Sequence, residues 1–118
     1  MEIDKAVLAF SQSEKIKAGI IWATQVINAL QGLVSIEQKG AEKIVENLIR
    51  MISMEASLAR SMTNDEQWDK MEPHMEKAIL MINSGVSQEA MIHLSKALSN
   101  VTTIGQRAMT ILKENGLL

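Results

Sequence analysis

The chain has 118 residues and a mass of 13.1 kDa, 47% apolar and 22% charged, which fits a single globular domain over residues 1–118 rather than a disordered tract. Twelve basic against fourteen acidic side chains leave a net charge of −2, too balanced to draw in nucleic acid or an acidic membrane surface. With no Cys, no Tyr, one Phe and one Pro, the sequence lacks thiolate metal centres, disulfides and thiol catalysis, and lacks the turns and aromatics of a β-sandwich or barrel; what remains is an all-α domain.

The first helical region starts near Glu2 and runs to about Gln31. Ile16, Ile20, Ala23, Ile27, Leu30 and Val34 recur at spacings of three and four, and Ala18, Trp22, Val26, Ala29 and Leu33 form a second stripe beside them. Together the stripes make about half of the helix circumference apolar, more than one neighbouring helix would cover. Upstream, Ile3, Ala6, Val7 and Phe10 form a shorter stripe. Ser11 and Glu14 have the spacing of a capping box, which leaves open a separate N-terminal helical arm over the first ten residues.

The nineteen residues from Ala18 to Ile36 carry no charge, a length that can span a bilayer. Thr24, Gln25, Asn28, Gln31 and Ser35 within it are costly in hydrocarbon, so a helix buried in protein is expected instead of a membrane span. No leader pattern precedes it, and a cytoplasmic protein is the expectation.

Gly32 offers a helix end, with Ser35 and Gln38 spaced to cap the next helix; the competing stop is Gly40. The second helix then reaches about Ser61, with Ala41, Ile44, Val45, Leu48, Ile52, Ala56 and Ala59 inward. Thr63-Asn-Asp-Glu66 signals the next start. The third helix carries Trp68, Met71, Met75, Ile79 and Ile82 on one side, and Pro73 must kink or divide it. Gly85 ends it. Val86 and Ser87 open a fourth helix, whose stripe runs through Met91, Leu94, Leu98, Val101, Gly105, Ala108 and Leu112 before Asn115-Gly116. Four amphipathic helices with short connections predict an antiparallel up-and-down four-helix bundle.

Few residues suit chemistry. His74 and His93 are not preceded by Glu three positions earlier, as a di-metal carboxylate bundle would require; both read as surface histidines. There is no phosphate-binding Gly-rich loop and no triad base, so no catalytic residue, metal or cofactor is implied. The acids at 65, 66, 69, 72 and 76 read as a dipole-favoured helix start.

Two features stand out. Nine methionines are many for a chain with three aromatics; Trp22, Trp68, Met71 and Met75 are candidates for an adaptable apolar groove. The middles of the first and fourth helices are uncharged, and Thr24, Gln25, Asn28, Gln31, Thr103 and Gln106 suit a face that is covered part of the time. The expected function is therefore a non-enzymatic protein-interaction domain, self-associating as a homodimer or docking a partner protein. The competing expectation is a small-molecule or lipid-binding bundle with a Met/Trp-lined cavity.

Overall fold

Helices form where apolar residues recur every three to four positions. In a computed structural model describing residues 1–118, α1 spans Ile3–Leu30, α2 Ser35–Thr63, α3 Glu72–Asn83 and α4 Ala90–Glu114. Short 3-10 helices at Glu66–Met71 and Ser87–Glu89 lead into α3 and α4. α1 packs on α2 and α4, and α3 closes the ring between α4 and α2. Gln12 reaches Glu55 while Gly19 meets Ile52, so α1 and α2 run in opposite directions. The result is an up-and-down four-helix bundle, elongated at 52 × 22 × 18 Å.

Helix ends follow local chemistry. Gly85 and Gly116, at φ 80° and 72°, take the left-handed conformation that only Gly adopts without a steric cost. Behind each, the chain bonds back in the same way: Val86 N–H to Met81 O at 3.0 Å, and Leu117 N–H to Leu112 O at 2.8 Å. Pro73 stands at the start of α3, where its missing N–H has no intrahelical partner to lose, so it divides the third segment instead of kinking it.

One boundary left open by the sequence is resolved, and two differ from expectation. α1 is continuous, with no separate arm: Ala6 and Ala9 are fully buried, which ties the first turns to the core, and Ser13 Oγ donates to Phe10 O at 2.8 Å within the unbroken helix. α1 does end ahead of Gly32, but Ser35 caps nothing; Val34 occupies the cap position and Gln38 N–H bonds to its carbonyl. α2 runs on to Thr63, which donates to Ala59 O, and Asp65 is the residue that caps the following turn, accepting from Gln67 N–H at 2.9 Å. No helix is long and apolar enough to cross a membrane, because the turn at Gln31–Val34 splits the uncharged segment between two helices.

The core is one cluster, drawn from Ile16, Ile20, Ala23 and Ile27 of α1, Val45, Ile49 and Ile52 of α2, the 66–83 leg, and Leu94, Val101 and Ile104 of α4. Ile44, expected inward, is exposed, and Ile49 is buried in its place. The α2 apolar arc is wide enough to admit either choice, and packing selects the stripe 45–49–52–56–59.

Candidate interaction surface

The second α1 stripe is where the bundle leaves apolar surface uncovered. It lies about 100° round the helix from the core stripe. Trp22 is 64% exposed, and Val26 and Leu33 are about 40% and 38% exposed. Across the seam α2 presents Met51 and Ile44, 61% and 71% exposed, with half-buried Leu48 between them.

A groove of about 250 Å³ runs between the two helices, walled by Ile16, Gly19, Trp22, Leu48, Met51 and Ile52. Gly19 makes it possible: a Cβ there would stand 3.3 Å from Ile52, so the helices approach closely at its floor. One end is closed by Lys15 and Glu55, paired at 3.1 Å, with Gln12 Nε2 donating to the same carboxylate at 3.2 Å. The Gln12 hydrogen bond, then that of Lys15, holds Glu55 below the usual carboxylate range, so this end stays charged while the groove itself is apolar.

The expected groove of Trp22, Trp68, Met71 and Met75 does not form. Trp68, Met71 and Met75 are 2%, 1% and 0% exposed and belong to the core cluster, whereas Trp22 lies on the outer face of α1. The 3-10 helix at 66–71 packs against both α2 and α4, which drives Trp68 and Met71 inward. A cavity shared by both tryptophans is therefore absent. The methionines at the surface groove are instead represented by Met51, which lies one step from the α2 core stripe; the broad apolar arc of α2 was the signal for it.

The uncharged polar residues are only partly brought together. Gln25, Asn28 and Gln31 are exposed, and Thr24 is half-buried with its hydroxyl donating to Ile20 O at 3.0 Å. Gln25 follows Trp22 by three residues and stands at the rim of the apolar seam. Gln106 is elsewhere. It follows Gly105, which faces Ser13, so it sits about 18 Å of helix length from Thr24 and shares a cleft with Glu14 and Lys17. Thr103 precedes Gly105 by two residues, about 200° round α4, and its hydroxyl bonds to Ser99 O. Thr103 and Gln106 thus do not extend the α1 face.

Other concavities offer less. The largest cleft, about 450 Å³, is at the opposite end of α1, with polar walls that include Lys5, Asn64, Asp65, Glu66 and Arg107. Its charges are of both signs, and Arg107 stands 3.9 Å from Asp65. No three His, Asp or Glu side chains converge to hold a metal ion. The histidines differ from the surface reading: His74 and His93 are half-buried on α3 and α4, and the Nδ1 atom of each is buried without a hydrogen-bond partner.

No protein-family model matches this chain, and no curated protein or solved structure matches it either.

Proposed function

We propose that the chain is a non-enzymatic interaction domain that self-associates as a homodimer through the α1–α2 seam. The observation that carries this reading is Trp22: the bulkiest side chain type, 64% exposed, standing beside an apolar groove of about 250 Å³ on the same face. A two-fold interface requires one patch to be complementary to itself, so that residue i meets j and j meets i. A knob beside a hole meets that requirement, with each Trp22 entering the groove of the other copy. Gln25, three residues from Trp22, would supply an uncharged part of the rim, where interfaces are commonly polar.

The size of the patch sets the strength. From Gly19 to Leu33 the seam is about 21 Å long, and two helices are about 20 Å wide, giving about 400 Å² per copy. Stable dimers bury about 800 Å² per partner, so this contact belongs to the weak, concentration-dependent class. The cysteine-free sequence fits a reducing, cytoplasmic setting.

Amide resonances recorded over a dilution series test the reading. Signals from residues 19–33 and 44–51 are expected to move together with concentration while those of α3 stay fixed. Concentration-independent spectra would refute it. The same groove supports a second reading, capture of a small apolar ligand against Trp22. That reading predicts a shift of Trp22 emission on ligand addition at constant molar mass.

A further inference from the structure

Methionine is the side chain of this protein that a peroxide oxidises most readily, because there is no Cys to compete for it. The fold places its methionines at two extremes of access. Met71 and Met75 are sealed in the core at 1% and 0% exposed, whereas Met51 and Met54 on α2 are 61% and 70% exposed. One turn of α2 thus presents two open thioethers.

These two differ in what lies beside them. Met51 walls the α1–α2 groove with Trp22, Leu48 and Ile52, and the only charged lining, Lys15 and Glu55, is paired at one end. Met54 is not part of the groove. Three residues on, it is turned about 60° round α2, to the side away from Ile52. A thioether is a weak acceptor that packs as an apolar group, but its sulfoxide is strongly polar. On an open surface water solvates that oxygen. In a groove filled by a second copy the water is lost, and Ile16, Leu48 and Ile52 have no donor to replace it. Lys15 is already engaged by Glu55, which leaves only the indole N–H of Trp22.

We infer that the α1–α2 interface is peroxide-sensitive and that Met51 is its switch. This rests on the homodimer reading above and adds a means of regulating it. The step is a two-electron oxidation by hydrogen peroxide. The Met51 sulfur lone pair attacks one peroxide oxygen, and an S–O bond forms as the O–O bond breaks. The proton on the transferred oxygen passes through solvent to the leaving oxygen, which departs as water. Sulfur is oxidised and peroxide is reduced. Because the contact opens on dilution, Met51 reacts in the monomer, and its sulfoxide then opposes reassociation. Association in turn covers Met51 and protects it, while Met54 stays open in both states.

Limited hydrogen peroxide treatment of the intact chain, mapped by peptide mass spectrometry, gives the first test. Met51 and Met54 are expected to gain oxygen well ahead of Met71 and Met75. The rate at Met51 relative to Met54 is expected to fall as protein concentration rises, and a constant ratio would place Met51 outside the interface and overturn the inference. Sedimentation equilibrium then compares treated and untreated wild type, Met51→Leu and Met54→Leu. Leu keeps the volume and the apolar wall but has no sulfur to oxidise. Treatment is expected to raise the dissociation constant of wild type and Met54→Leu by about tenfold or more, and to leave that of Met51→Leu unchanged. An untreated wild type that stays monomeric would overturn the homodimer reading, and the switch with it. A wild type that dimerises equally well after Met51 is oxidised, or a Met51→Leu chain weakened as much by treatment, would overturn the switch alone.

Discussion

α1 has two seams, and they use apolar residues in opposite ways. Toward α4 the contact is made by small side chains: Gly105 comes so near that an added Cβ would lie 2.6 Å from Ser13 Oγ, and Ala9, Ala97 and Ala108 are fully buried. Toward α2 one close approach at Gly19 is flanked by large side chains, and Trp22, Val26, Ile44 and Met51 remain in solvent. Apolar content therefore does not decide burial on this helix. Residue size at the contact decides how near the axes come, and large residues beside the contact are left over as surface.

The sharpest way to break this comparison is to truncate neighbours on α1. Ile20 is 1% exposed and Trp22 is 64% exposed, although the second is the larger side chain. Ile20→Ala is expected to cost about 2–5 kcal/mol by leaving a core cavity. Trp22→Ala should change the stability of the dilute chain by about 0.5 kcal/mol or less. Urea denaturation at low concentration reads both values, and a loss at Trp22 comparable with that at Ile20 would show the open seam to be core.

Glycine substitutions give the next largest contrast. Gly105→Ala overpacks the closed seam at a cost of about 1–3 kcal/mol, which outweighs the gain of about 1 kcal/mol in helix propensity. Adding Ser13→Ala removes the 2.6 Å approach and is expected to recover most of the loss. Gly40, inside α2, has open space where a Cβ would stand, with nothing within 4 Å, and should behave oppositely, Gly40→Ala stabilising by about 1 kcal/mol. Thermal unfolding of the three variants checks the two signs.

The parts of this structure that sequence makes legible are those set by local chemistry. The helix stripes, the ends at Gly85 and Gly116, the break at Pro73 and the turn after Leu30 each depend on residues within a few positions of one another. The capping spacings at Ser11 and Ser35 are local signals too, and both lose: burial of Ala6 and Ala9 carries α1 through the first, and Val34 takes the cap at the second. The surface is harder to read. Trp22 and Trp68 both stand in apolar stripes, and only the packing of the 66–71 turn between α2 and α4 sends one inside and leaves the other out. Likewise Gln25 and Gln106 look equivalent in composition, but their separation depends on which α4 residue faces Ser13, a long-range fact that no short window of sequence contains.

Self-association through the open seam is tested most directly by sedimentation equilibrium of the wild type and Trp22→Glu over a wide concentration range. The wild-type mass is expected to climb from monomer toward dimer, while Trp22→Glu stays monomeric with unchanged helical circular dichroism. A wild type that remains monomeric throughout, or a Trp22→Glu chain that dimerises equally well, would contradict it.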